Sequence, residues 1–196
     1  FVQIRVGILT CSDKGSVGKR IDTSGHLIRR IIEKKLNGKV VKYKIVPDEK
    51  KVIATFLKQW TDKDKLDLIL TTGGTGLAKR DVTPEATKEV VDYEIPGFGE
   101  IMRIEGYKKT PFALLSRAIA GVRKKSLIIN LPGSERAVKE NLSFILPVLP
   151  HALEIIAGKT EHKCSTPQPP LPQGPFSVVE LLRRMKERNK VRGKEK

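Results

Sequence analysis

Short apolar runs of strand length alternate along this chain with segments of helical period, and that alternation admits few architectures. Ile4 to Ser12, Val40 to Val46 and Leu66 to Leu70 are the runs, rich in Ile, Val and Leu. Between the first two, Leu27, Ile28, Ile31, Ile32 and Leu36 recur at helical spacing, with Arg29, Arg30, Glu33 and Lys34 opposite and Asn37-Gly38 as a stop. Glu49 to Trp60 repeats the pattern through Val52, Ile53, Phe56 and Leu57. Strands joined through helices run parallel by right-handed crossovers, so the spacing predicts an α/β fold: a three-layer αβα arrangement around a mostly parallel sheet.

Downstream, Pro84 to Val91 reads as a short helix capped by Thr83, and Ser126 to Asn130 as a further strand. Glu100 to Gly106 and Phe112 to Ile119 have helical character interrupted by Gly and Pro. Ala137 to Ala157 is helical, with Pro147 and Pro150 set to interrupt it. From Thr160 the composition changes. Residues 165–175 are rich in proline and read as an extended linker, followed by what reads as a short basic amphipathic segment through Val178, Leu181, Leu182 and Met185. The expected division is a domain over residues 1–159 and a Pro-rich tail over 160–196.

The chain has 196 residues, enough for one core of about 150 residues and an appendage. No apolar run approaches the roughly 18 residues of a membrane span. Without an initiator Met or signal peptide at Phe1, and with only Cys11 and Cys164, the reading is a cytoplasmic protein trimmed at its start. The net charge of +16 favours anionic partners, and much of it lies in the tail beyond Arg183.

In a parallel sheet, ligands bind beyond the carboxyl ends of the strands. Each loop there is distinctive: Ser12-Asp13, Pro47-Asp48-Glu49, Thr71 to Gly76, and Asn130 to Ser134. Three glycines among Gly73-Gly74-Thr75-Gly76 let backbone N–H groups approach an anion. Asp22 with Ser24-Gly25 opens a helix whose N-terminus suits phosphate. Asp22, Asp48 and Asp81 also have a plainer reading as caps or turn formers. Carboxylates beside a phosphate cradle nonetheless suit Mg²⁺, which takes one or two of them plus phosphate oxygens. The loop is neither a P-loop nor a dinucleotide fingerprint, and the scattered His26, His151 and His162 make no zinc site.

Taken in order, Val6 to Asp13, Asp22-Thr23-Ser24-Gly25, Val46 to Glu49, Leu70 to Gly76, Arg80 to Thr87, Leu115-Ser116-Arg117 and Asn130 to Gly133 resemble the Mog-type molybdopterin adenylyltransferases. The resemblance is strongest to the G domain of gephyrin and its plant counterpart, and it runs from about Ile4 to Ala157. It implies a MoaB/Mog-like fold, a homotrimer, and transfer of AMP from ATP to molybdopterin with pyrophosphate leaving. By motif position, Asp48 and Asp81 would be the catalytic and Mg²⁺-holding carboxylates. Ser12, Asp22, Ser24, Gly25, Thr71, Thr72, Gly73, Gly74, Thr75, Gly76, Ser116, Asn130, Pro132, Gly133 and Ser134 would bind molybdopterin or nucleotide. Thr23 stands where the family pattern has Arg, and Glu135 where relatives often carry a neutral or basic residue. The Pro-rich tail resembles the connector to a second, molybdenum-inserting E domain. Two other readings compete with the enzyme: a gephyrin-like trimerising scaffold that keeps the pterin pocket, and nucleic-acid binding through the basic tail, which mere charge supports poorly.

Overall fold

Every second residue of the central strands faces the same layer, and the structure sorts them accordingly. The computed structural model describes residues 3–159; the linker and amphipathic segment expected over 160–196 lie outside the described residues. In chain order the elements are β1 (Ile4–Cys11), α1 (Asp13–Ser16), α2 (Thr23–Lys35), β2 (Gly38–Val46), α3 (Lys50–Asp62), β3 (Leu68–Thr72), α4 (Thr83–Val90), β4 (Tyr93–Glu94) and α5 (Pro96–Tyr107). A 3-10 turn (Pro111–Leu115), β5 (Ala120–Arg123), β6 (Ser126–Leu131), α6 (Glu135–Ile145) and α7 (Leu149–Ile156) follow.

The sheet order is β2-β1-β3-β6-β5-β4, parallel across its first four strands and antiparallel across the last two pairs. Ile8, Leu68, Leu70, Leu127 and Ile129 pack with Leu27, Ile28 and Ile32 of α2, Met102 of α5, Leu142 of α6 and Leu153 of α7. Leu9, Ile69 and Ile128, one residue out of phase, pack on the other face with Ile53, Leu57 and Trp60 of α3 and Ala86 and Val90 of α4. The three layers are therefore as the spacing predicts.

The chain leaves β1 outward to β2 and then returns across β1 to β3, so a topological switch point falls between β1 and β3. Register places the site. Cys11 pairs with Val46, Thr10 with Thr72, and Thr72 with Leu131, which ends four strands at one level. The loops after β1, β2, β3 and β6 consequently share one rim.

Three local readings change. Inside the expected loop after β1, Ser12 Oγ accepts from the Gly15 amide at 3.1 Å and nucleates the single turn α1. The helix expected over Phe112 to Ile119 is only the 3-10 turn, and the residues after it extend into β5, whose pairing with β6 outweighs local helical spacing. Thr83 does not cap α4, because Val82 holds the cap position and the Thr83 hydroxyl donates instead to the Gly73 carbonyl at 2.9 Å. The break between α6 and α7 does fall at Pro147, with Pro150 in the first turn of α7.

Arg123 staples β5 to α3 by reaching both oxygens of Asp62, at 3.1 and 2.7 Å, and the Val90 carbonyl at 3.0 Å. Those Arg123 hydrogen bonds, helped by Lys124, hold the Asp62 carboxyl well below the usual carboxylate range. A carboxylate depressed on folding contributes stability that is complete above its unfolded pKa of about 4 and is lost as pH falls through the folded value. Acid denaturation of Asp62→Asn should therefore show a shallower loss of stability below about pH 4 than wild type; an unaltered acid limb would exclude Asp62 as a source of it.

Candidate active site

The rim encloses a cleft of about 560 Å³ over the β1/β3 switch point. Ser12, Asp22, Ser24, Asp48, Thr72, Gly73, Gly74, Asp81, Gly133 and Ser134 line it, all of them named from the sequence. Thr10, Cys11, Gly15, Arg20, Ile21, Thr23 and Glu135 complete the lining.

The floor is the glycine loop. Gly73 has φ +94° and Gly74 φ +63°, so both take a backbone that other residues rarely adopt. A Cβ on Gly73 would collide with the Cys11 carbonyl oxygen, and one on Gly74 would collide with Thr83 Oγ1 and lie 3.1 Å from Asp48 Oδ1. Neighbouring loops are tied to this floor: Thr72 Oγ1 donates to the Pro132 carbonyl and Ser24 Oγ to the Gly133 carbonyl, each at 2.7 Å.

Asp48 sits on the wall beside Gly74. Its Oδ2 accepts the Asp13 amide at 2.9 Å, while its buried Oδ1 has no hydrogen-bond partner. Burial, reinforced by the charges of Asp13 and Asp81, raises the Asp48 carboxyl above its ordinary pKa; the Asp13 amide and Arg80 oppose this. A buried carboxylate oxygen without a partner is costly unless a cation completes it. No cluster of three or more His, Cys, Asp or Glu able to hold a metal occurs among the described residues. Two carboxylates, one with an oxygen that lacks a protein partner, fit Mg²⁺ when phosphate oxygens supply the remaining ligands.

Asp22 has the capping role that was one of its two readings. It is the N-cap of α2, with Oδ1 accepting the Gly25 amide at 2.8 Å. Its Oδ2 accepts the Tyr43 hydroxyl at 2.5 Å and the Thr10 hydroxyl. His26 stacks on the Tyr43 ring and the Arg29 guanidinium lies over it, so the start of α2 is fixed from several sides. Both Asp22 oxygens are thereby engaged, although the residue lines the cleft. Burial pushes the Cys11 thiol up to about 12, which leaves it a protonated wall residue.

Several sequence-named residues lie behind the cleft. Asn130 is buried, donating from its amide to Thr71 Oγ1 at 3.0 Å and Thr87 Oγ1 at 2.8 Å, so both Asn130 and Thr71 belong to the sheet's interior. Gly25 is enclosed by Asp22, Tyr43 and Thr10. Pro132 presents its carbonyl to Thr72, and with Ser116 it lines a separate recess of about 220 Å³ beside Met102 and Phe112. Thr75 and Gly76 are gripped by a residue the motif reading passed over. Arg117 donates from its amide to the Thr75 carbonyl and from Nε to the Gly76 carbonyl, at 2.9 and 2.7 Å, and its guanidinium also reaches the Asp81 carbonyl and the Glu85 carboxylate. Leu115-Ser116-Arg117 thus braces the far end of the glycine loop through its arginine. Tyr43 carries no local signal, and Thr10 and Arg117 fall within the motifs without showing their partners, which lie well away along the chain.

Fold and cleft together define a doubly wound α/β protein with a glycine-floored, carboxylate-walled site at its switch point. The chain belongs to the molybdopterin-binding domain family: residues 7–151 match the family described as "Probable molybdopterin binding domain". It is 46% identical over 156 residues to a molybdopterin adenylyltransferase of Helicobacter pylori J99, covering 79% of this chain and 89% of that protein. Over 172 residues it is 45% identical to gephyrin of Dictyostelium discoideum, covering 83% of this chain but 24% of that longer protein. The crystal structure of the molybdopterin biosynthesis enzyme MoaB from Thermus thermophilus superposes with a TM-score of 0.75 at 54% identity, covering 79% of this chain and 97% of that one.

Proposed function

We propose that this chain acts in molybdenum cofactor biosynthesis as a molybdopterin adenylyltransferase, moving AMP from ATP to molybdopterin and releasing pyrophosphate. The observation that carries the reading is the pairing of a positive-φ glycine floor with an unpartnered Asp48 oxygen, in a chain 46% identical to a protein of that name. An oxygen of the molybdopterin phosphate attacks the α-phosphorus of ATP, a new P–O bond forms, and the bond to the pyrophosphate oxygen breaks.

Asp48 and Asp81 would hold Mg²⁺, which when bound supplies charge neutralisation for the approaching phosphates. The Gly73 and Gly74 backbone would cradle the pterin side, and the loop of Pro132 to Ser134 with the start of α2 would close round the ligand. Catalysis then rests on orientation and charge compensation. We place this activity in residues 1–159, acting as a cytoplasmic homotrimer, with residues 160–196 as a connector. An E-type domain in a longer protein is supported by the gephyrin match, which spans 24% of that relative.

The lining is short of positive charge for polyanionic substrates. Asp22, Asp48, Asp81 and Glu135 face one basic side chain, Arg20, in the loop before α2. Arg20→Ala should raise KM for molybdopterin or ATP about tenfold while changing kcat little, the effect expected on losing one charge-assisted contact. A KM unchanged for both substrates would remove Arg20 from the site. The reading as a whole is tested by pyrophosphate release from purified chain, ATP and Mg²⁺. Release that depends on added molybdopterin is expected, and release indifferent to it would contradict transfer.

A further inference from the structure

Asp48 and Asp81 reach the cleft from loops on opposite sides of β1, so their spacing is not fixed by neighbouring positions in the chain. Two residues outside the cleft lining bridge them. Arg80, next to Asp81, forks onto Asp13, with Nε donating to Oδ2 at 3.0 Å and Nη2 to Oδ1 at 2.6 Å. Asp13 and Asp48 then exchange a reciprocal pair: the Asp13 amide donates to Asp48 Oδ2 at 2.9 Å, and the Asp48 amide to Asp13 Oδ1 at 3.0 Å.

We infer that Arg80 and Asp13 form a clasp that sets the separation of the Asp48 and Asp81 carboxylates, serving the reaction as positioning residues. The inference rests on the adenylyl-transfer reading for its kinetic consequence and on geometry alone for its structural one. Neither residue lines the cleft, so both act through the acids they hold. The side chains are 57% and 46% exposed, and exposed ion pairs add little to stability. A two-pronged arginine–carboxylate contact instead fixes direction. Arg80 also neutralises Asp13, which would otherwise set a bare charge against the already crowded Asp48.

The test compares Arg80→Ala, Asp13→Ala, their double variant and Arg80→Lys with wild type. Each alanine variant should lower kcat roughly thirtyfold, with KM for molybdopterin within about twofold and melting temperature little changed. The double variant should be no slower than the slower single, because both remove one linkage. Lysine keeps the charge but cannot fork, so it should fall near the alanine variant. Multiplying losses in the double variant would overturn the clasp. So would a fall for Arg80→Ala with Asp13→Ala unaffected, which would mark Arg80 as a direct substrate contact. Independently of turnover, amide hydrogen exchange of the unliganded protein should quicken at residues 12–15 and 48–50 in Arg80→Ala, and unchanged exchange there would overturn it. Quickened exchange in Arg80→Ala together with no AMP transfer by the wild-type chain would contradict the proposed function and leave the clasp standing.

Discussion

Asp48→Asn is expected to lower kcat by about two to three orders of magnitude while leaving the folded protein as stable as wild type or more so. The two effects share one cause. Burial already disfavours the ionised Asp48 carboxyl in the folded chain, and its Oδ1 has no partner. Asparagine retains an oxygen for the Asp13 amide and removes the uncompensated charge, so folding loses a cost while the cleft loses the hold on a cation proposed for it. Asp81→Asn should lose turnover comparably and still bind molybdopterin. Its carboxylate accepts the Ala78 amide at 2.8 Å, which an asparagine oxygen can replace. Steady-state kinetics beside thermal melting measures both halves. Retained kcat in Asp48→Asn would remove that carboxylate from the mechanism, and a large fall in melting temperature would show it to be structural.

Alanine at Gly73 should destabilise the chain by about 3 kcal/mol or more, because the new methyl meets a backbone oxygen in the neighbouring strand end and the backbone is strained as well. Gly74→Ala makes the informative contrast. At φ +63° it occupies the left-handed well, costing about 1–2 kcal/mol, and its methyl meets the Thr83 hydroxyl and the Asp48 oxygen, which are side-chain atoms free to yield. The expected result is a marked loss of stability for Gly73→Ala, and for Gly74→Ala a milder one with a disproportionate fall in kcat through displaced Asp48. Urea denaturation with activity on the same samples separates them. Equal stability loss with equal residual activity would contradict the placement of Asp48 against Gly74.

The layers and rim were legible in the sequence because period and punctuation encode them locally. Ile8, Leu68 and Leu70 against Leu9 and Ile69 fall on two faces simply by alternating, and Pro47 and Pro132 end their strands where a parallel sheet gathers its loops. The glycine floor was legible for the same reason, since few other sequences permit two consecutive positive-φ residues. The β4–β5 ribbon was not, because its short strands are held by partners rather than by their own propensity. Nor were the duties of the polar residues. Asn130 faces inward to two threonines, Asp22 is satisfied by Tyr43 and Thr10, and Arg117 rather than Ser116 braces the cradle. Each depends on a contact many residues away, so a motif names the position without naming the partner.

Phosphorus-31 NMR of purified chain with molybdopterin, ATP and Mg²⁺ tests the central claim most directly, because it reports which phosphorus is attacked. Attack at the α-phosphorus predicts a new phosphoanhydride joining the pterin phosphate to AMP, with free pyrophosphate appearing in equal amount. ADP with inorganic phosphate, or pyrophosphate without the new anhydride, would contradict it.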